Sequence, residues 1–167
     1  MSAIHEHVLQ NGMTLLCWPQ RHLHGLEFGL YLKGGPLYET EETQGISNVL
    51  EHLCFRGLGG LNREGLLREL NRFGTNLDAA TYAEGLVFRL KCLPRFFDAA
   101  LEYFLRFFAN VPWTPEQIAA EKQVVLRQLE ADGDGDLFDR AACDFRKTEN
   151  GAFPPLGTPE SLMALTE

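Results

Sequence analysis

Hydrophobic and polar residues follow two different periods along this chain. Residues 4–10 and 13–19 read as two short strands joined at Asn11-Gly12, the strongest short signal for a hairpin. Leu26 to Lys33 reads as a third strand, broken by Gly34-Gly35-Pro36. The period then changes: Ile46, Val49, Leu50 and Leu53 fall at i, i+3, i+4 and i+7, one stripe of an α-helix. A second helix is predicted over 62–73, with Leu66, Leu67, Leu70 and Phe73 as its apolar face, Asn62 as its N-cap and Gly74 as its stop. A strand-like stretch follows Gly74, and Leu86 to Leu93 reads as the next strand. Pro94 opens a long helix to about Ala109, whose stripe of Phe96, Phe97, Ala100, Leu101, Phe104, Leu105 and Phe108 reads as core. After the break at Val111-Pro112-Trp113, Thr114-Pro115-Glu116-Gln117 is a capping box with proline at the first helical position, starting a helix to about Glu130. A further helix is predicted over roughly 137–147, and Thr158-Pro159-Glu160-Ser161 starts a last one.

Composition narrows what such a chain does. Its 167 residues fit one domain with a proper core. The formal net charge is −8 with no lysine- or arginine-rich run, which argues against nucleic acid and against anionic membranes as partners. No stretch approaches the ~20 apolar residues of a membrane span, and the N-terminus has no basic, apolar leader pattern. Cys17, Cys54, Cys92 and Cys143 are scattered in apolar or helical contexts, so all four are expected as buried free thiols in a reducing, cytoplasmic setting. His5 and His7, like His22 and His24, are spaced to share one side of a strand but read as exposed, with no carboxylate or thiol at ligand spacing. Asp132-Gly133-Asp134-Gly135-Asp136 is similar to the start of a calcium loop, yet Cys143 stands where its twelfth-place Glu belongs, so it reads as an acidic turn.

The chemistry concentrates on the helix from Ile46. Asn48 and His52 are one turn apart, and Glu51 precedes His52. With His in place of Asn48 this would be H-x-x-E-H, in which two imidazoles hold zinc and the Glu takes a proton from metal-bound water. The framed run Gly45-Ile46-Ser47-Asn48-Val49-Leu50-Glu51-His52-Leu53-Cys54-Phe55-Arg56-Gly57 resembles the pattern G-x-A-H-F-L-E-H-M-x-F-x-G of the pitrilysin/insulinase family of zinc peptidases, which includes the mitochondrial processing peptidases. Leu9-x-Asn11-Gly12-Met13-x-Leu15 and the stretch 154–161, read as P-x-x-G-x-x-E-S, are also similar to family segments.

The resemblance implies an α+β fold: an antiparallel sheet of five or six strands with helices packed mainly on one face. It implies a single domain over 1–167 that holds only the first part of the usual clam-shell. In the helix from 115, Glu121 takes the place of a supporting Glu and Gln128, two turns on, the place of the third zinc ligand. A register that offers Glu130 instead needs a two-residue shift, which turns the side chain by about 200°. Asp78, Ala79, Ala80 and Thr81 match the family's edge strand, which holds substrate backbone by β-augmentation; an ordinary strand is the competing reading.

The substitutions bear directly on chemistry. Catalytic zinc needs three protein ligands and an open water position, and Asn48 and Gln128 offer only neutral amides. His52 is left as the residual ligand and Glu51 as a general base with nothing to deprotonate. The first reading is therefore a catalytically degenerate relative with no cofactor, binding a peptide or protein and completing a chamber beside a related subunit with an intact zinc motif. The alternative is an active zinc peptidase with rearranged ligands, such as His52, Glu121 and one other. The third reading is an interaction domain that keeps only the fold.

Overall fold

The computed structural model describes residues 3–56, 63–75, 77–109, 113–131 and 153–165. The chain runs β1 (His5–Val8), β2 (Thr14–Cys17), β3 (Leu26–Lys33), α1 (Ile46–Cys54), α2 (Arg63–Arg72), β4 (Leu77–Tyr82), β5 (Gly85–Cys92), α3 (Phe97–Ala109), α4 (Pro115–Ala131) and α5 (Pro159–Ala164). Short 3-10 turns at Pro36–Tyr38 and Pro94–Phe96 lead away from β3 and into α3.

Among the described residues all strand pairing is antiparallel, as expected, but the five strands split into a hairpin β1-β2 and a three-stranded sheet β3-β5-β4. In the sheet, Leu86, Phe88, Leu90 and Cys92 of β5 point to one face, joined by Leu77 of β4. Leu66 and Leu70 of α2, and Ala100 and Phe104 of α3, cover that face, while Cys54 reaches it from α1. Phe28 meets Phe97 and Phe104 edge to face, at centroid distances of 5.7 and 5.2 Å. A second, smaller cluster joins Val49 and Leu53 of α1 to Val125 of α4 and Leu162 of α5. So α1 is wedged between two cores, which fixes the direction of its polar side chains.

The predicted stripes are narrower in the fold: Leu50, Leu67 and Leu105 face solvent. Each sits on the flank of its helix, beyond the reach of the layer it packs on. Gly74 ends α2 as expected, with a φ of 63°. Thr114 and Gln117 form their capping box, the Thr114 amide donating to Gln117 Oε1 at 2.9 Å and the Gln117 amide to Thr114 Oγ1 at 3.3 Å. Thr158 and Ser161 cap α5 in the same reciprocal way. The Asn62 cap, the acidic turn at 132–136, the helix expected over 137–147 and Cys143 lie outside the described residues.

The hairpin departs from two expectations. Gly12 is at φ 83° and, among the described residues, no non-glycine residue has positive φ, so Asn11-Gly12 is not the two-residue turn that needs both residues left-handed. Leu9 and Met13 close a loop of three residues instead, with the Leu9 amide donating to Met13 O at 2.8 Å. Cys17, expected buried, is exposed, because every residue of both hairpin strands is exposed; Cys54 and Cys92 are buried as expected.

Candidate functional site

The N-terminus of α1 is anchored before any chemistry is presented. Gly45 caps it in the left-handed region, φ 85°, and a Cβ there would sit 2.7 Å from Leu156 O. The buried Glu39 carboxylate accepts from the amides of Gly45 at 2.8 Å and Ser47 at 3.0 Å, satisfying donors the helix leaves free. From the acidic run 39–43, therefore, one carboxylate does the capping. Ser47 Oγ in turn accepts from Gly35 N at 3.1 Å, tying α1 to the end of β3.

The C-terminal half of α1 faces α4. His52 Nδ1 lies 3.5 Å from Glu121 Oε2, and Arg56 Nε donates to Glu121 Oε1. Glu121 is only 5% exposed, so its charge is met by these two partners rather than by water. On the neighbouring edge strand β4, Thr81 Oγ1 donates to Glu51 Oε2. Burial, followed by the Glu51 carboxylate, pushes the Cys54 thiol up to about 12. Glu51, His52, Phe55, Arg56, Glu121 and Val124 line a cavity of roughly 330 Å³.

The structure thus brings Glu51, His52 and Glu121 together and leaves other candidates apart. Asn48 is buried, 6% exposed, and its Nδ2 has no hydrogen-bond partner. Gln128 is exposed and is absent from the cavity wall, although it shares a helix face with Glu121. Two turns place it about 10 Å further along α4 than Glu121. Asp78 is engaged across the strands by Arg89, at 2.6 Å, while Ala79 and Ala80 are half-buried on β4, an edge of the three-stranded sheet. Arg56 was missed in the sequence; its place one turn after His52 was the signal that it shares that face.

Among the described residues no three His, Cys, Asp or Glu side chains form a ligand group. The place one turn before His52 holds an amide, and Glu121 is already neutralised by Arg56.

A sheet backed by helices, with a Glu-His pair on the first helix facing a carboxylate on a later one, defines a metallopeptidase-type domain. The chain matches the family described as Insulinase (Peptidase family M16) over residues 24–143, and it belongs to that family. A Rickettsia felis protein named as an uncharacterized zinc protease is 28% identical over 162 residues, spanning 95% of this chain and 39% of its own length. The Caenorhabditis elegans mitochondrial-processing peptidase subunit beta is 29% identical over 102 residues, 61% of this chain and 22% of that subunit. The crystal structure of a peptidase M16 inactive domain from Pseudomonas fluorescens superposes with a TM-score of 0.83 at 16% identity, covering 98% of this chain and 41% of the other. The chain thus spans about two fifths or less of these relatives.

Proposed function

We propose that this domain is a catalytically degenerate insulinase-type unit that binds extended peptide and completes a chamber beside a related subunit with an intact zinc motif. The observation that carries the reading is Asn48: a buried amide, one turn before His52, in the place of the first imidazole. Neutral amides are poor donors for a borderline divalent ion, so His52 is left without its chelating partner. Glu51 is held by Thr81 and serves to join α1 to β4. The open edge of β4 supports the peptide-binding part, because an extended chain can add a strand there through main-chain hydrogen bonds. The partner part draws on the nematode relative, which is by name a subunit. Buried thiols at Cys54 and Cys92 agree with a reducing, cytoplasmic setting.

A second reading, an active zinc endopeptidase with rearranged ligands, draws on the 3.5 Å approach of His52 to Glu121, two adjacent donors in need of a third. Zinc titration by calorimetry decides between them. The proposal expects no zinc whose binding is abolished by His52→Ala; such a zinc, with peptidase activity, would overturn it. Asn48→His with Gln128→Glu is expected to raise zinc affinity at least about tenfold, worth ~1.4 kcal/mol. A folded double variant that ignores zinc would show that the ligand places were wrongly matched.

A further inference from the structure

The β1–β2 hairpin is exposed along both strands, with Val8 71% and Leu16 64% accessible and Ile4 and Leu15 also in solvent. A two-stranded ribbon by itself is marginal in water and is stabilised by further strands. Each hairpin strand has one paired edge and, among the described residues, one free edge. Charged side chains are what blunts indiscriminate pairing at such edges. Of the four strands with a free edge among the described residues, β1 carries Glu6, β3 carries Glu27 and Lys33, and β4 carries Asp78. Only β2, Thr14-Leu15-Leu16-Cys17, has no charged residue. Charge marks the same region again. Residues 1–25 hold one acid, Glu6, and one base, Arg21, so the net charge of −8 falls wholly on residues 26–167.

We propose that β2 is a self-association edge whose occupant is β2 of a second copy of this chain. A two-fold axis perpendicular to the ribbon sets the two strands antiparallel and joins the hairpins into one four-stranded sheet. Such an axis keeps each face of the ribbon on its own side, so directly opposed residues come from the same face. Because successive residues alternate between faces, the axis passes through a like pair, Leu15 against Leu15 or Leu16 against Leu16, and never between them. Either register sets exposed aliphatic side chains against each other and opposes no charged residue of β2 to its copy. Contact through the neutral hairpin also holds apart two bodies that each carry −8, which packing body on body would not. The contact is smaller than the ~1,200 Å² of stable complexes, so a dissociation constant on the order of 100 μM is expected, and the hairpin stays free in dilute solution.

Self-association of this kind does not depend on what the α1–α4 cavity binds, and sedimentation equilibrium of the full chain from about 10 μM to about 1 mM tests it. The expected result is a shift from one chain to two across that range. Leu15→Lys with Leu16→Lys places charges on the edge and should weaken association at least about tenfold. Leu32→Lys, at an exposed position of the free-edged strand β3, should associate as the parent does. The exposed Cys17 reports the geometry. Either register brings the two Cys17 side chains within roughly 15 Å, so a bifunctional maleimide of that span should join two parent chains. The joined product should vanish in Cys17→Ser and in the double lysine variant. Circular dichroism checks that each variant is folded, which these exposed positions leave intact. A parent that sediments as one chain throughout overturns the proposal, as does association unmoved by both lysines. Association lost in Leu32→Lys but kept in the double lysine variant overturns it too, and assigns the contact to β3.

Discussion

The α1–α4 pocket and the β1–β2 hairpin belong to one chain and are held by different forces. Around the pocket, α1 is pinned from both sides by core residues, and the buried charge of Glu121 is answered by Arg56 and His52. In the hairpin, order comes from strand pairing and a tight loop, while Val8, Leu16 and Trp18 remain in solvent. The difference teaches that polar groups in this molecule are placed by long-range packing, whereas the hairpin is placed by its own turn. The largest expected effect follows directly. Phe88→Ala, at a site 1% exposed, should lower unfolding free energy by about 3–5 kcal/mol. Leu16→Ala, at a site 64% exposed, should lower it by less than about 0.5 kcal/mol. Urea unfolding of both variants measures this, and comparable losses would erase the contrast.

Alkaline stability probes the same divide by charge. Burial, then Glu51, moves the Cys54 thiol from 9.0 to about 12. Between those values the unfolded chain has released the proton and the folded chain keeps it, so the unfolded state binds fewer protons. The contribution is intact below pH 9 and is lost at about 1.4 kcal/mol per pH unit as pH rises towards 12. Burial, followed by Glu69, likewise raises Tyr103 from 10.0 to about 12, so part of the slope begins one unit later. Unfolding followed against pH should show a shallower alkaline decline in Cys54→Ala.

What was legible in the sequence, and what was not, follows the same line. Leu26–Lys33 ends at its Gly34-Gly35-Pro36 break as predicted, and Thr114 and Gln117 cap α4 as their spacing predicts, because both signals are local. A framed motif and a helix period marked Glu51, His52 and Glu121 as candidates, and the three line one cavity. The Thr81–Glu51 bond joins residues 30 apart, and the Arg56–Glu121 pair joins residues 65 apart; no local pattern encodes either. The same holds for the exposure of Cys17 and of Gln128. Each depends on which element covers a face, and a side chain's own helix or strand cannot report that.

The Arg56–Glu121 pair gives the next, smaller effect. Arg56→Met removes the charged partner of a carboxylate whose side chain is only 7% exposed, leaving His52 to meet it alone. The expected loss is about 1–3 kcal/mol, held down by solvent screening of Arg56, whose side chain is 39% exposed. Arg68→Met breaks an exposed i,i+4 pair with Glu64, at 3.0 Å, and should cost under about 0.5 kcal/mol. Thermal unfolding of the two variants side by side checks the order; equal losses would mean that the buried pair gains nothing from its setting.

The smallest effect isolates the hairpin. Gly12 lies at φ 83°, and a Cβ added there meets no heavy atom within 4 Å. Gly12→Ala therefore carries a backbone cost alone, about 1 kcal/mol for a side chain in the left-handed region. Because the hairpin's residues are all exposed, it should open without the body, and the cost should appear locally. The reporter is the Leu9 amide, bonded to Met13 O at 2.8 Å. Its hydrogen exchange should quicken about fivefold, the factor that ~1 kcal/mol represents, while the Phe88 amide in the core strand keeps its parental rate. If both amides quicken together, the hairpin unfolds with the core, and the pocket and the hairpin are parts of one cooperative unit.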